Sequence, residues 1–260
     1  MPNWVRNRLT IRGPQYKEVL HQITTFDNEE HKVVMDFNKI TPMPESIAKM
    51  ESSTRVSEYI NLFLNSIKNT DEFKKYLSAV VLNGGNYFGM KEDEFRDKLK
   101  ETAQEKDWKE NKRFENEQAV LDYGRLALDN ILNYGVMDWY DWSIQNWGTK
   151  WNAHETEIED NVILFDTAWS PVPELMLKLS SMFPENLFEY EFAEEQICVI
   201  CGEFEFENGD CTKELIFDEG SKEAYEKGFE LWPDSKRYYK FDKKKNTYHY
   251  IEDIEDSGME

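Results

Sequence analysis

Cysteine is scarce in this chain: the sequence has 3 Cys in 260 residues, an odd number. So few cysteines argue against a disulfide framework and favour a reducing compartment. Long apolar runs are also missing, since no stretch approaches the roughly 18 consecutive apolar residues that a membrane-spanning helix needs. The first residues lack the apolar core of a signal peptide. These absences predict a cytoplasmic protein with no membrane partner.

Catalytic signatures are missing as well. The sequence contains no Gly-x-Ser-x-Gly, no Walker phosphate loop and no Gly-x-Gly-x-x-Gly, so acyl transfer, phosphoryl transfer and dinucleotide chemistry lose their usual support. Only 4 His are present, without the spacing of a metal-binding pair. His154 lies among carboxylates, which suits a metal or acid–base site, but a solvated His in an acidic loop is the favoured interpretation. We therefore predict a non-enzymatic protein that uses no cofactor.

A possible zinc knuckle is formed by Cys198 and Cys201, which are separated by two residues, with Cys211 as a third thiolate. Residues three apart in a strand point to opposite faces, so this pair cannot chelate one ion unless a turn intervenes. Buried cysteines that act as small apolar residues are the favoured interpretation over a metal site.

Positive charge is in short supply. The chain has 31 Lys and Arg against 52 Asp and Glu, which leaves a net charge of −21. Residues 185–219 hold twelve carboxylates and one lysine, so more than half of the excess lies there. Such a surface repels phosphate backbones, whose binding depends on Lys and Arg. We expect no direct binding to nucleic acid, and a basic protein is the physically preferred partner.

The chain opens with a pattern typical of a β-α-β unit. Residues 4–12 alternate apolar and polar side chains, which predicts a half-buried strand with Asn7 on the inward, apolar face. Residues 16–23 have helical spacing, and 32–38 are predicted as a second strand. Residues 54–134 then carry only helical periodicity, which predicts an all-helical insertion.

Strand patterns return after this insertion. Asn208 and Gly209 form a strong hairpin turn signal, and Ser170 with Pro171 is predicted to open a helix. The predicted strands are 161–166, 187–192, 197–206 and 211–217, with a last hairpin of 237–241 and 247–251.

The order of these elements predicts an α+β fold. It is a ferredoxin-like antiparallel sheet with two packing helices, interrupted by an all-helical insertion, plus C-terminal β-hairpins. The predicted boundaries are 1–45 and 138–220 for the ferredoxin-like domain, 46–137 for the helical insertion, 221–251 for a C-terminal extension and 252–260 for an acidic tail. The tail is predicted to be disordered.

Three sequence blocks resemble the YubB-like ferredoxin-fold family of phage and plasmid proteins. They are MPNWVRNRLTI at 1–11, WSIQNWGTKWNA at 142–153 and FDTAWSP at 165–171. The resemblance spans about residues 1–45 and 138–192. It implies a ferredoxin-like fold and an origin in a mobile genetic element, and therefore the cytoplasm of a bacterial host. It implies no catalytic residue.

A dense run of tryptophans follows the predicted insertion. Four of the 8 Trp fall within thirteen positions, namely Trp139, Trp142, Trp147 and Trp151. Indoles can stack on bases, but Asp138 and Asp141 lie among these rings. Anchoring of the helical insertion on the sheet is the favoured interpretation. The alternative is a small-ligand-binding or catalytic module, with a pocket lined by these four Trp between the sheet and the insertion.

Rows of carboxylates are the candidate functional site. Glu203, Glu205 and Glu207 alternate with Phe, which places three carboxylates on one strand face about 6.6 Å apart, and Glu189 and Glu191 repeat the pattern. We predict that these five residues bind a basic host or defence protein, with nucleic-acid mimicry as one form of this binding. The alternative is a solvated face, neutralised in part by outward arginines of the first strand. Those arginines are Arg6, Arg8 and Arg12.

Overall fold

The structure, a computed structural model, describes residues 3–29, 31–82, 84–107 and 109–251. The chain divides into two compact units, Met1–Pro42 with Ser143–Glu260 and Met43–Trp142. The residues predicted as the helical insertion, 46–137, lie inside the second unit. The predicted acidic tail, 252–260, lies outside the described residues.

The described residues form both strands and helices. The strands are β1 Trp4–Arg12, β2 Thr24–Asp27, β3 Lys32–Met35, β4 His154–Glu159, β5 Val162–Ala168, β6 Leu187–Glu194, β7 Cys201–Glu207, β8 Asp210–Ile216, β9 Tyr239–Asp242 and β10 Thr247–Tyr250. The helices are α1 Tyr16–Ile23, α2 Glu45–Ala48, α3 Val56–Ser66, α4 Asp71–Leu82, α5 Glu92–Ala103, α6 Glu117–Tyr134, α7 Trp139–Trp147, α8 Pro173–Met182 and α9 Lys222–Leu231. The boundary between the two units falls within α7. In the described part of the chain, no helix has both the length and the apolar character needed to cross a membrane.

The first unit is built on a six-stranded antiparallel sheet with the order β4-β5-β1-β6-β7-β8. Strands β1, β4, β5 and β6 alternate with α1 and α8 in the β-α-β-β-α-β order of a ferredoxin-like domain. Strands β7 and β8 extend the sheet through the turn at Asn208 and Gly209, whose φ angles of 51° and 81° suit a type I′ turn. The predicted α+β, ferredoxin-like fold class is confirmed, and so is the C-terminal hairpin, β9 with β10.

The predicted second strand, 32–38, is wrong in its extent and in its place in the ferredoxin-like order. Strand β3 ends at Met35 and pairs with β2 in a separate two-stranded hairpin. The chain then leaves the extended conformation, because the Asp36 side chain accepts a hydrogen bond from Asn38 N at 3.0 Å and caps a short 3-10 helix. Strand β4, which follows the second unit, takes the place beside β5. Alternation of side chains predicts a strand but does not identify its neighbour.

The inward face of β1 forms the centre of the core, as its alternation predicts. Val5, Leu9 and Ile11 are buried, and the predicted inward position of Asn7 is confirmed. Its amide Nδ2 donates to Phe165 O at 3.1 Å, and its Oδ1 accepts from the Tyr190 hydroxyl at 2.5 Å. A buried polar side chain is tolerated in a core when its hydrogen bonds are made in this way.

The start of α8 differs from the prediction. The helix begins at Pro173, with Val172 before it, and not at residues 170–171. Val172 N donates to the Tyr190 hydroxyl at 2.8 Å, and Trp169 has a φ of 69°. The intervening segment is therefore held in a non-helical conformation, and Pro173 takes the first helical position that proline favours.

The predicted strand 197–206 begins later, at Cys201. A turn precedes it, because Val199 N donates to Gln196 O at 3.2 Å and Cys198 has a φ of 72°. Composition alone does not reveal a turn that lies inside an apolar run, so the run was predicted as one strand.

The second unit is built around helices α3 and α6. Helix α6 is capped at its start by Asn116, whose side chain accepts from Ala119 N at 3.0 Å, and at its end by Gly135 in the left-handed conformation. A Cβ atom at Gly124 of α6 would overlap the carbonyl oxygen of Tyr59 on α3. The two helix backbones therefore approach each other closely at this glycine.

Candidate functional site on the carboxylate face of the sheet

Strands β6 and β7 place four carboxylates together on one face of the sheet. The register pairs Glu189 with Glu205 and Glu191 with Glu203. We call this surface, formed by these four residues, the carboxylate face. Glu207, the fifth predicted residue, lies exposed at the end of β7. Like charges directly opposite each other destabilise a sheet, so the carboxylate face needs cations nearby.

Two arginines of β1 supply part of this positive charge. Arg8 Nε donates to Glu191 Oε2 at 2.5 Å, and Arg12 Nε donates to Glu189 Oε1 at 2.5 Å. Arg6 binds elsewhere, since its guanidinium donates twice to Asp166, at 2.9 and 3.1 Å. The cross-strand neutralisation that we stated as the alternative is thus seen for two of the three arginines.

A third cation comes from helix α9, which the sequence patterns did not predict. Lys227 Nζ lies 2.5 Å from Glu191 Oε1, 2.8 Å from Glu203 Oε1 and 2.9 Å from Glu230 Oε2. Its side chain is only 7% exposed. The start of this helix has a sequence signal, because Ser221 is an N-cap whose side chain accepts a hydrogen bond from the N–H of Ala224. Nothing in the sequence marks Lys227 as the residue that reaches two strands of the sheet.

Lys213 of β8 completes the network. Its Nζ lies 3.0 Å from Glu203 Oε2 and 3.5 Å from Glu205 Oε1. The four members of the carboxylate face are therefore all paired with Arg or Lys. Exposed ion pairs contribute only about 0–1 kcal/mol each, so the loss of one charge should cost most at the nearly buried Lys227.

These ion pairs keep the central groups charged. Burial raises the pKa of Glu191, but hydrogen bonds from Arg8 and Lys227 outweigh it and hold that pKa below its usual range. The same balance, with Lys227 and Lys213 as donors, lowers the pKa of Glu203. Burial lowers the pKa of Lys227, but its hydrogen bonds to carboxylates raise it above the ordinary value. None of these shifts moves a pKa toward neutrality, where a general acid or base works best.

A second set of carboxylates lies at the β7–β8 hairpin and the loop after β8. We call this set the hairpin carboxylates: Glu207, Asp210, Glu214, Asp218 and Glu219. All five are exposed. Within the described ranges none of them forms an ion pair. These five carboxylates therefore carry uncompensated negative charge outside the carboxylate face.

The four tryptophans of the run do not have one common environment. Trp139 and Trp142 lie in the second unit, and Trp147 and Trp151 lie in the first. Trp147 is buried at 4% exposure, whereas Trp151 is 38% exposed and stacks on Trp169 at a centroid distance of 6.4 Å. The pocket between the sheet and the insertion, which is the alternative interpretation of these tryptophans, stays a prediction.

Trp147 has a structural role that can be measured. Its Nε1 donates to Thr41 O at 2.8 Å, and its ring packs edge-on against Phe37 at 5.8 Å. A Trp147→Phe variant should lose about 1–3 kcal/mol of unfolding free energy, because the buried carbonyl loses its donor. The matched change Trp151→Phe should alter it by no more than about 0.5 kcal/mol. Urea denaturation of both variants measures the difference, and equal losses would refute the assignment.

The cysteines and His154 do not form a metal centre as placed. Cys201 is buried at the start of β7, where burial raises the pKa of its thiol to about 11. Cys198 lies in the preceding turn, and Cys211 is exposed on β8. His154 stacks on Trp4 at 4.9 Å. Among the residues that the structure describes, no group of three or more His, Cys, Asp or Glu is arranged to hold a metal ion.

Comparison with known proteins gives one family match. Residues 146–250 match the family model described as "Ferredoxin-like domain in Api92-like protein". A similar solved structure is that of protein api92 from Yersinia pseudotuberculosis, with 15% identity and a TM-score of 0.39, covering 85% of this chain and 99% of that chain. No curated protein matches the chain. The YubB-like resemblance stays a prediction, and residues 146–250 are similar to the ferredoxin-like domain of Api92-like proteins.

Proposed function

We propose that this chain is a non-enzymatic accessory protein of a phage or plasmid, and that its acidic surface binds a basic protein of the bacterial host or its defence systems. The observation that carries the proposal is the set of hairpin carboxylates, five exposed acidic groups without an ion pair within the described residues. The net charge of −21 adds long-range attraction for a basic partner. The resemblance of three sequence blocks to YubB-like proteins supports the mobile-element origin.

The position of the binding surface differs from the sequence-based interpretation. Glu189, Glu191, Glu203 and Glu205 are paired with arginines and lysines of the same chain. A mimic of a nucleic-acid backbone presents free anions to its partner, and these four do not. Of the five predicted binding residues, only Glu207 belongs to the hairpin carboxylates. We therefore place partner binding at the hairpin and assign a structural role to the carboxylate face.

Salt and charge reversal test this proposal. The immobilised protein should retain basic proteins from bacterial lysate at low salt and release them as salt rises, because exposed charges are screened beyond about 8–10 Å. Reversing Glu207→Lys and Asp210→Lys should lower the retained amount about tenfold, since both remove attraction and add repulsion. Mass spectrometry of the eluted proteins gives their identity and charge.

The control reverses two exposed carboxylates of β4, at the opposite edge of the same sheet. Glu157→Lys and Glu159→Lys change the net charge by the same amount as the hairpin variant. This control should retain the basic proteins nearly as well as the wild type. Salt-independent retention, or an equal loss in both variants, would contradict the proposal.

A further inference from the structure

Strand β8 is the last strand of the sheet on its β7 side, and its outer edge pairs with no strand in the described part of the chain. All of its residues are exposed, including Leu215 at 41% and Ile216 at 54%. The irregularity in its pairing with β7 lies at Glu205 and Phe206, so residues 213–216 pair regularly. An open, regular edge with apolar side chains is a template for pairing with another strand.

The backbone groups that face this open edge belong to Glu214 and Ile216. Phe217 N donates to Cys201 O at 3.2 Å, so the backbone N–H of Phe217 points toward β7. The N–H and C=O groups of successive residues alternate in direction along a strand. Leu215 therefore also faces β7, while Glu214 and Ile216 direct their N–H and C=O groups outward.

A cleft of about 230 Å³ lies beside this edge, between α8 and β8. Phe204 and Phe206 form part of its lining, and their rings stack at 5.5 Å with an interplanar angle of 10°. Glu174 and Glu214 also line the cleft, and both are exposed. Apolar rings beside two carboxylates suit an arginine, whose stem is aliphatic and whose planar cation stacks on aromatic faces and binds carboxylates.

We propose that β8 accepts an extended, basic segment of the partner as an added strand, and that one arginine of this segment enters the α8–β8 cleft. The hairpin carboxylates give the edge a charge that complements such a segment. A residue paired directly with Glu214 has its Cβ about 4.5–5.5 Å away on the same face of the sheet. Its side chain therefore starts next to the cleft. This inference rests on the proposed function, since it specifies how the basic partner binds.

The opposite edge of the sheet, at β4, is protected against the addition of a further strand. Strand β4 has a pairing irregularity between His154 and Glu157. Met35 N of β3 donates to the Thr156 hydroxyl of β4 at 3.1 Å, which places the β2–β3 hairpin beside it. Bulges and covering elements are the usual means of blocking strand addition. Strand β8 also has a pairing irregularity, but residues 213–216 pair regularly. It lacks a covering element among the described residues, and it is the edge that we assign to the partner.

Hydrogen exchange with a defined peptide tests the inference. The probe is a short peptide that alternates threonine and valine around a central arginine, with a lysine at each end. On binding, the amides of Glu214 and Ile216 should exchange at least about tenfold more slowly, because they gain hydrogen bonds. The amides of Lys213 and Leu215, already directed toward β7, should change little. Unchanged exchange at Glu214 and Ile216 in the presence of saturating peptide would overturn the inference.

Matched peptides and variants separate the contribution of backbone pairing from the contribution of the arginine side chain. N-methylation of alternate peptide amides should weaken binding about tenfold or more, since strand addition depends on backbone hydrogen bonds. Replacing the arginine by glutamine should weaken peptide binding about tenfold, because the carboxylates of the cleft lose their cation. In the protein, Glu214→Gln should reduce the preference of the cleft for the arginine peptide over the glutamine peptide. Ile216→Pro removes an outward N–H that an edge strand can lack without unfolding, and it should weaken strand addition by the peptide. Circular dichroism checks that both variants are folded.

The outcomes distinguish this inference from the proposed function. If the N-methylated peptide binds as well as the parent and both depend on salt and on the hairpin carboxylates, strand addition is wrong while binding of a basic partner stands. If no basic peptide binds at low salt, both fail. A dimer that protects Glu214 and Ile216 without peptide would show that a second copy occupies the edge, and would also overturn the inference.

Discussion

A Lys227→Met variant should lose about 3 kcal/mol of unfolding free energy at neutral pH, because removing one partner of a nearly buried ion pair leaves the other uncompensated. Lys227 Nζ contacts Glu191, Glu203 and Glu230, and its side chain is 7% exposed. Methionine fills a similar volume, so the loss reports mainly the missing charge. Urea denaturation followed by circular dichroism measures it.

The size of this loss should depend on pH. The pKa values of Glu191 and Glu203 in the folded protein lie below the ordinary value of 4.5. Their contribution to stability is therefore present above about pH 4.5 and is lost as the pH falls through the lowered folded-state values. The pKa of Lys227 is raised, so its contribution is full below pH 10.5 and is lost in strong alkali. The wild type and the variant should become more alike in acid.

Two further variants show whether the ion-pair network is responsible. Lys222→Met removes a more exposed lysine that pairs with Glu226 at 2.8 Å, and it should change stability by no more than about 0.5 kcal/mol. Adding Glu191→Gln and Glu203→Gln to Lys227→Met should recover part of the loss, since the uncompensated charges are then gone. A Lys227→Met loss no larger than that of Lys222→Met would contradict the structural role of the carboxylate face.

Gly124→Ala should destabilise the second unit by about 2–3 kcal/mol, which is the usual cost of overpacking. Alanine favours a helix over glycine by about 1 kcal/mol, so helix propensity alone predicts the opposite sign. The overlap decides, because a Cβ at Gly124 meets the backbone of Tyr59, which cannot move aside as a side chain can. Thermal unfolding followed by the helical circular dichroism signal measures the change.

Gly89→Ala is the matched control, because a Cβ there lies 3.7 Å from the nearest atom, the Tyr87 hydroxyl oxygen. That distance is an ordinary van der Waals contact, and stability should change by no more than about 0.5 kcal/mol. A stabilised Gly124→Ala variant would show that α3 and α6 do not pack as closely as the structure places them.

Local patterns predicted local structure well in this chain. The alternation in residues 4–12 identified β1 and the inward face that contains Asn7, because burial on one face of a strand imposes a period of two. The turn at Asn208 and Gly209 was predictable because few residues other than Asn, Asp and Gly adopt positive φ. Both signals lie within a few residues of the structure that they specify.

Long-range pairing was not predictable in the same way. Strand β3 was assigned to the sheet, but β4 takes the position beside β5, and the two are separated in sequence by the whole second unit. Alternation placed the carboxylates of β6 and of β7 each on one face of their own strand, but their partner Lys227 lies on α9, 36 residues from Glu191. Charge patterns in the sequence show where anions concentrate, and the tertiary structure decides which of them are neutralised.

Peptide binding to two variants, each with three carboxylates neutralised, shows most directly whether the hairpin carboxylates or the carboxylate face bind the partner. One variant carries Glu207→Gln, Asp210→Asn and Glu214→Gln, and the other carries Glu189→Gln, Glu203→Gln and Glu205→Gln. Both lose three negative charges, so long-range attraction is matched. The affinity for the arginine peptide, measured by calorimetry on folded protein, should fall about tenfold in the first variant and by no more than about twofold in the second. An equal or larger loss in the second variant would contradict our assignment of partner binding to the hairpin.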